Sequence, residues 1–186
     1  MKNIYPASFI KKYLTPSLNP LLLPTSDDII KRETAEYGIG VYTLHSYQRG
    51  DCIGHFLAMP SNTLRQHSLQ RAIGDHLEDP YFVGYLLHSC DPNVVLDMHQ
   101  QKAFCLKDIQ AGGPLFIDYA STEDVLFRQF ACACSAPNCR HWITGRNEPV
   151  NAEGRMYLDE KENQLLLINT AIYETRLVGS IAKKSI

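Results

Sequence analysis

The chain has 186 residues, 45% of them hydrophobic and 20% charged, which is enough apolar material for one globular domain. Eighteen basic and 20 acidic side chains give a formal net charge of −2 at pH 7, so the sequence lacks the cationic surplus of a general nucleic-acid-binding protein. No apolar run approaches the roughly 20 residues of a transmembrane helix, and Pro6 interrupts the segment that a secretory signal would use. We therefore expect a single-domain cytoplasmic protein that contacts neither nucleic acid nor membranes.

The predicted secondary structure changes character at about residue 36. Prolines recur through the first 24 residues, which predicts an irregular N-terminal arm over residues 1–35 with room for only a short helix at 7–14. From residue 36 onward, short runs of β-branched and aromatic residues alternate with glycine-containing turns. These runs predict strands at residues 37–44, 51–58, 67–71, 94–98, 103–106 and 115–119, with a hairpin between 94–98 and 103–106.

Helices are expected to be few. Asp79 followed by Pro80 has the form of an N-cap with proline at the first helical position, which predicts a short helix over residues 80–87. A capping sequence at residues 121–124 predicts a helical turn that runs to residue 130. Residues 162–178 predict a helix within a C-terminal extension, residues 147–186. The whole pattern predicts a mainly β fold with short connecting helices.

Three of the six cysteines share one short loop, which turns back at Pro137 and Asn138. These loop thiols are Cys132, Cys134 and Cys139. A structural zinc ion takes four ligands in a tetrahedron, so the loop needs a fourth ligand, for which Cys90 is the candidate. Two alternatives stay open: the thiols are reduced and bind no metal, or they form disulfide bonds. Cys52 and Cys105 lie in apolar strand patterns and are predicted core residues.

Four segments together point to a known family. Residues 36–42 read Glu-Tyr-Gly-Ile-Gly-Val-Tyr, and residues 87–93 read Leu-His-Ser-Cys-Asp-Pro-Asn. Residues 115–119 read Leu-Phe-Ile-Asp-Tyr, and residues 132–139 have the spacing Cys-x-Cys-x4-Cys. They resemble, in this order, the Gly-x-Gly strand, the Asn-His-Ser-Cys-x-Pro-Asn segment, the Leu-x-x-Asp-Tyr strand and the cysteine tail of the SET-domain lysine methyltransferases.

The resemblance implies the SET fold, a knotted β-clip that binds S-adenosylmethionine (SAM) on one face and admits a lysine side chain through a narrow channel from the other. It implies a SET domain over residues 36–130 and a post-SET zinc-binding loop over residues 131–146, followed by the C-terminal extension. In the family the tail zinc usually takes its fourth sulfur from the His-Ser-Cys segment. The implied zinc ligands here are Cys90, Cys132, Cys134 and Cys139.

Tyr119 is the catalytic residue that the resemblance implies. Methyl transfer from a sulfonium to an amine is an in-line displacement, which needs the amine neutral, aligned and out of water. An apolar channel beside the sulfonium would lower the amine pKa from about 10.4, and a phenol at the channel end can orient the nitrogen lone pair. Ile117 occupies the channel position where a Phe or Tyr of the family limits the number of methyl groups. Its smaller side chain predicts multiple methylation.

The resemblance also implies a cofactor face. Its residues are Gly38, Ile39, Gly40, Tyr85, Leu87, His88, Tyr119 and Trp142. The glycines would let the backbone approach the ligand, His88 would offer mainly its backbone to the adenine, and Trp142 would cover the adenine. Each has a structural alternative, as a strand glycine or a packed core side chain. Asn93 and Asp118 are expected to be structural anchors.

Three positions depart from the family pattern. Leu87 stands where the family has an Asn that helps to hold the cofactor, Gly84 replaces a common Arg, and Pro114 replaces a Glu. Leucine cannot make the hydrogen bonds of that Asn. The sequence thus predicts a SAM-dependent N-methyltransferase for a protein or peptide lysine, with a small amine as an alternative acceptor. A non-catalytic, zinc-stabilised binding module of the same fold and an unrelated β-rich zinc protein remain open.

Overall fold

The structure is a computed structural model that describes residues 2–16 and 18–182, with side chains described up to residue 168. Within these residues the helices are α1 (Ala7–Tyr13) and α2 (Ala152–Ala182). The strands are β1 (Ile29–Thr34), β2 (Gly38–Thr43), β3 (Cys52–His55), β4 (Met59–Ser61), β5 (Ser68–Ala72), β6 (Asp75–Glu78), β7 (Leu87–His88), β8 (Val94–Asp97), β9 (Lys102–Cys105), β10 (Phe116–Ile117), β11 (Phe130–Ala131) and β12 (Trp142–Ile143). The mainly β fold with a C-terminal helix is confirmed.

The described strands form several small sheets rather than one large sheet. β1 and β2 pair antiparallel, β9 lies between β3 and β8, and β6 lies between β4 and β5. The predicted hairpin at residues 94–106 is present as β8 and β9, and β11 pairs with β12. β7 and β10 pair in parallel, with Leu87 opposite Phe116 and His88 opposite Ile117. This last pair brings the His-Ser-Cys segment beside the Leu-x-x-Asp-Tyr strand.

Asn93 fastens the chain after β7 to the chain that enters β10. Its side-chain amide donates to the Pro114 carbonyl at 2.9 Å, and its side-chain oxygen accepts from the Phe116 N–H at 2.7 Å. The Asn93 backbone N–H also donates to the Phe116 carbonyl at 3.2 Å. Asn93 therefore has the anchoring contacts that the resemblance implied.

The main hydrophobic core is centred on fully buried side chains from several sheets and loops. They include Tyr5, Phe56, Leu57, Leu77, Phe82 and Leu115. Asp79 lies inside this core with 1% of its surface exposed. Its carboxylate accepts hydrogen bonds from the Tyr5 hydroxyl and from the backbone N–H groups of three residues, Tyr81, Phe82 and Val83. Burial of this charge is therefore matched by four donors.

Two of the predicted short helices are absent. Asp79 caps the backbone after it as predicted, but only a single 3₁₀ turn (Val83–Tyr85) follows, because the chain then extends into β7. Residues 122–129 likewise form turns and bends, preceded by a 3₁₀ turn (Tyr119–Ser121) that Asp118 caps. Pairing with distant strands prevails over local helix signals at both places.

The N-terminal arm is more ordered and more closely packed than predicted. Residues 29–34 form β1, the antiparallel partner of β2, and the short helix at 7–14 is present as α1. Tyr5, Phe9 and Ile29 are buried in the main core. A second correction concerns Cys52, which is exposed, whereas Cys105 is buried as predicted. Strand alternation explains the difference, since the buried residue of this part of β3 is Ile53.

Helix α2 begins at Ala152, ten residues before the predicted start. The Asn151 side chain accepts a hydrogen bond from the Gly154 N–H at 2.8 Å, which is the contact of an N-cap. The first turns of α2 pack on Trp142, whereas Leu165 to Ile168 are between 55% and 72% exposed. Among the described residues, no helix has the length and hydropathy needed to cross a membrane.

Candidate active site and metal centre

The predicted cofactor residues Gly40, Leu87 and His88 lie next to one another at the junction of β2, β7 and β10. A Cβ placed on Gly40 would lie 2.6 Å from Cδ1 of Leu87, so the Leu87 side chain occupies the space that the glycine leaves free. Gly38 and Ile39 are exposed at the start of β2, and Gly38 has a positive φ of 69°. These two residues are thus on the rim of the site, whereas Gly40 is inside it.

Tyr119 follows β10 and lies against His88. The two rings are 5.1 Å apart in an edge-to-face arrangement, and the Tyr119 N–H lies 3.3 Å from Nδ1 of His88. The Tyr119 hydroxyl donates to the Leu86 carbonyl at 3.0 Å. Burial, and then the charge of Glu123, raises the pKa of Tyr119 to about 12. The phenol is therefore neutral and directed into the protein at physiological pH.

His88 is enclosed between the junction and the cysteine loop, with 4% of its side chain exposed. Burial lowers the pKa of His88 to about 4, against the opposing effect of the Asp118 carboxylate. Asp118 itself forms an ion pair with Arg140 of the cysteine loop. The neutral His88 and the paired Asp118 therefore make structural contacts. This agrees with the anchoring role expected for Asp118.

A cavity of about 430 Å³ opens beside Tyr119. Ile117 and Tyr119, the two predicted channel residues, both line it. Its other lining residues include Leu69, Val83, Leu86, Glu123, Leu126, Phe127 and Phe130. The wall also contains polar residues, namely Arg65, Gln66, His67, Ser68, Thr122 and Arg128, so the cavity offers a small molecule or a side chain both apolar surface and hydrogen-bonding groups.

The structure brings the four predicted zinc ligands together. The sulfur atoms of Cys90, Cys132, Cys134 and Cys139 lie within 4.8 Å of one another. Zn–S bonds of about 2.3 Å in a tetrahedron place sulfurs about 3.8 Å apart, close to the 4.0 Å between Cys90 and Cys132. The Arg140 N–H approaches Cys90 Sγ at 3.3 Å, and the His141 N–H approaches Cys139 Sγ at 3.4 Å. This donor set fits a zinc ion, since backbone N–H groups also support the thiolates.

Two predicted cofactor residues do not join this group. Trp142 lies opposite Ala131, so its ring points to the face of the β11–β12 pair away from Tyr119. It is 5% exposed, donates to Gln129 at 2.9 Å and packs against α2. Tyr85 stacks on His67 at 4.4 Å, with the Lys31 ammonium 4.0 Å from its ring centre. The contacts of Trp142 are those of the packed side chain that was its alternative interpretation, and the cofactor role of Tyr85 stays a prediction.

Phe130 and Glu123 lie at the site but were not predicted there. The Phe130 ring lies 5.8 Å from that of His88 and 5.9 Å from that of Tyr119. The sequence marks Phe130 only as an aromatic residue two positions before Cys132. Glu123 lines the cavity with 5% of its surface exposed, because residues 121–130 form a loop rather than the predicted helix.

The departure at Gly84 has a structural reason. A Cβ at this position would lie 2.4 Å from the Asp79 carbonyl oxygen and 2.7 Å from that of His67. No side chain fits there without moving the backbone, so the Arg of the family pattern has no room in this chain. Pro114 contributes its carbonyl to Asn93 and forms a bridge with Tyr42.

The sequence is similar to known methyltransferases over part of its length. A stretch of 83 residues is 37% identical to Histone-lysine N-methyltransferase Set2 of Drosophila melanogaster and covers 41% of this chain and 3% of that protein. A stretch of 112 residues is 28% identical to Methyltransferase flvH of Aspergillus flavus and covers 59% of this chain and 63% of that protein. The chain thus spans less than two thirds of the length of these curated relatives. No protein-family model matches.

The fold is also found among solved structures. The structure of KRYPTONITE in complex with mCHG DNA and SAH matches with a TM-score of 0.51 and 20% identity, over 63% of this chain and 29% of that chain. The order of the motifs, the parallel β7–β10 pair and this match agree with one another. The chain therefore has the SET fold.

Proposed function

We propose that the chain transfers methyl groups from SAM to an amine, with a protein or peptide lysine as the acceptor. The observation that carries the proposal is the position of Tyr119, whose buried hydroxyl stands at the wall of the cavity and beside the Gly40–Leu87–His88 junction. Sequence similarity to methyltransferases supports it. We also propose the cytoplasm as its compartment, with which the free cysteines are compatible.

The junction contains the residues that would hold SAM. Gly40 is buried and has no side chain, the Leu87 side chain lies against it, and His88 follows Leu87 in β7. When bound, SAM supplies a methyl group on a positively charged sulfur. The chain must then hold the acceptor nitrogen in line with that methyl group and keep water away from it.

Tyr119 orients rather than deprotonates the acceptor. With a pKa of about 12 it stays protonated at neutral pH, so it cannot act as an effective general base there. Its hydroxyl has lone pairs that can accept an N–H from the amine, which leaves the nitrogen lone pair free to point at the methyl carbon. Apolar wall residues, among them Leu86, Ile117 and Leu126, keep the amine out of water and so lower its pKa.

Ile117 leaves room for an amine that already carries a methyl group. It is 2% exposed and lies in the cavity wall two residues from Tyr119. We expect dimethyl or trimethyl product, and we expect Ile117→Phe to shift the product toward monomethyl because the ring fills the cavity. Mass spectrometry of the product checks this, and an unchanged product distribution in the variant would contradict it.

The cysteine cluster is proposed as a structural post-SET zinc site. It holds Cys90, which follows His88, against the loop that carries Arg140, whose side chain pairs with Asp118 beside Tyr119. Zinc would thus stabilise one side of the active site without reaching the reacting atoms. All four positions are cysteines, which is the closed ligand set of a structural site.

Leu87 favours a second candidate, a non-catalytic binding module of the same fold. Its side chain fills the space before Gly40 and offers no hydrogen-bonding group. Calorimetry with SAM separates the two candidates. Saturable binding that Gly40→Val abolishes supports the enzyme, because a larger side chain there collides with Leu87 and closes the site. Absence of binding at millimolar SAM by the folded, zinc-loaded chain supports the module.

A further inference from the structure

Glu123 is a buried carboxylate in the wall of the cavity beside Tyr119. Only 5% of its surface is exposed, and its charge is one of the two causes that raise the pKa of Tyr119. The cavity wall near these two residues is formed by apolar side chains such as Ile117 and Leu126. Glu123 is therefore an acid in the wall of the cavity that is proposed to hold the acceptor.

The two oxygens of Glu123 have different environments. Oε1 accepts a hydrogen bond from the Gln70 backbone N–H at 2.7 Å, which ties the loop to β5. Oε2 is buried and has no hydrogen-bond partner. A purely structural role accounts for Oε1 and leaves Oε2 unexplained, because a buried polar atom without a partner is costly.

No ion pair to Glu123 is present in the part of the chain that the structure describes. The neighbouring cation, Arg146, pairs with Asp124, and Arg65 at the cavity pairs with Glu78. Arg128 also lines the cavity but is exposed. Burial raises the pKa of Glu123 to about 7, against the opposing effects of the Gln70 N–H, the Thr122 side chain and the Arg146 charge. At pH 8 the carboxylate is therefore charged, and it has no ion-pair partner of its own among these cations.

We propose that Glu123 binds the ammonium form of the acceptor amine, with Oε2 accepting a hydrogen bond from the nitrogen. This inference depends on the proposed function in one respect, which is that the cavity holds the methyl acceptor. Before transfer, one N–H bond of the ammonium breaks, its proton passes to Oε2, and its electron pair stays on nitrogen as the lone pair. The cavity thereby selects alkylamines over uncharged side chains of the same shape.

The test measures binding and needs no methyl transfer. The probes are the methyl esters of Nα-acetyl-lysine and Nα-acetyl-norleucine, which differ by the ammonium group and are titrated into the zinc-loaded chain at pH 8 by calorimetry or NMR. The variant is Glu123→Gln, which keeps an oxygen for the Gln70 N–H and removes the charge. The control is Glu148→Gln, because Glu148 also accepts backbone N–H bonds, from Leu126 and Gly145, but does not itself line the cavity.

We expect the native chain and the Glu148→Gln control to bind the lysine ester more tightly than the norleucine ester. Glu123→Gln should weaken lysine-ester binding about 10- to 100-fold, the usual range for a hydrogen bond to a charged group, and leave norleucine-ester binding unchanged. The proposal would be overturned if the native chain bound both esters with equal affinity. It would also be overturned if the native chain and Glu123→Gln bound the lysine ester with equal affinity.

The two proposals fail separately. Methyl transfer that Glu123→Gln leaves unaltered in kcat and KM contradicts the role of Glu123 alone. Glu123-dependent binding of the lysine ester by a chain that transfers no methyl group supports that role and contradicts the proposed enzyme. Should Glu123→Gln fail to fold, equal binding of the two esters by the native chain would still overturn the proposal.

Discussion

The chain contains two hydrophobic clusters that are stabilised in different ways. The main core collects buried side chains from most sheets and from the N-terminal arm, such as Tyr5, Phe56 and Phe82. The second cluster, under the cysteine loop, has four buried members, Cys90, Leu126, Cys132 and Ile143. So few side chains offset little of the roughly 1–2 kcal/mol per residue that ordering a backbone costs. Burial of apolar side chains therefore stabilises the main core, whereas the second cluster depends on its sulfur ligands.

Loss of a sulfur ligand should have the largest effect, confined at first to the second cluster. Structural zinc binding is worth about 10–16 kcal/mol in zinc-finger peptides, so Cys132→Ala or chelation should release residues 131–146. We expect the zinc content to fall and trypsin to cut after Arg140 and Arg146, while the main core stays folded. Zinc analysis and limited proteolysis measure this.

The matched control is Cys52→Ser, since Cys52 is exposed and outside the cluster. It should keep the zinc content and the cleavage pattern of the native chain. A Cys132→Ala chain with a full zinc content and an uncut loop would show that the second cluster does not depend on its sulfurs.

Asp79→Ala tests the main core. It removes the acceptor of four hydrogen bonds, from the Tyr5 hydroxyl and three backbone N–H groups. Because each buried donor left without a partner costs about 1–3 kcal/mol, we expect a loss of about 3 kcal/mol or more in the free energy of unfolding. Urea denaturation measures it. Asp79→Asn, which keeps one acceptor oxygen, should lose less, and equal losses would contradict this account of the carboxylate.

The third prediction concerns how the free energy of unfolding depends on pH through Glu123. Glu123 connects the two clusters, because it accepts a hydrogen bond from Gln70 and belongs to the loop before Leu126. Burial raises the pKa of Glu123 in the folded chain to about 7, from its usual value of 4.5. The folded state then binds more protons at Glu123 between these values, so the contribution of Glu123 to stability is highest below about pH 4.5 and falls as pH rises to about 7. The loss is on the order of 3 kcal/mol.

Glu123→Gln should remove this slope and be more stable than the native chain above pH 7, although it binds amines less well. Urea denaturation from pH 4.5 to 8 measures the slope. A variant that is less stable than the native chain at pH 8 would indicate that the carboxylate serves the structure alone.

Gly154→Ala should have the smallest effect. A Cβ there would lie 2.3 Å from Nε1 of Trp142, so α2 must shift away from the Trp142 ring. Overpacking costs about 1–3 kcal/mol, from which the better helix propensity of alanine recovers up to about 1 kcal/mol. Trp142 is the single tryptophan, so its fluorescence reports the shift directly. Asn163→Ala on the exposed part of α2 is the control, and identical emission from both variants would contradict the packing described here.

The sequence predicted the features that depend on local patterns and short spacings. Strand β2, the β8–β9 hairpin and the grouping of the loop cysteines follow from alternation, turns and spacing. Two-residue strands such as β7 and β12 are too short to show periodicity. The burial of Glu123 depends on Gln70, 53 residues away, and no local signal marks it. Trp142 illustrates a third limit, since a pattern does not say which face of a strand pair a side chain occupies.

In the proposed function, Tyr119 orients an amine for methyl transfer. Radiolabelled transfer from SAM to a lysine peptide, measured for the native chain, Tyr119→Phe and the control Tyr47→Phe, tests it most directly. Tyr47 is half-buried and its backbone pairs with Ile109, outside the cavity wall. We predict that Tyr119→Phe lowers kcat about 100-fold or more, as loss of one positioned hydrogen-bonding group typically does, and that Tyr47→Phe is close to native. Equal transfer by the native chain and Tyr119→Phe would contradict the account.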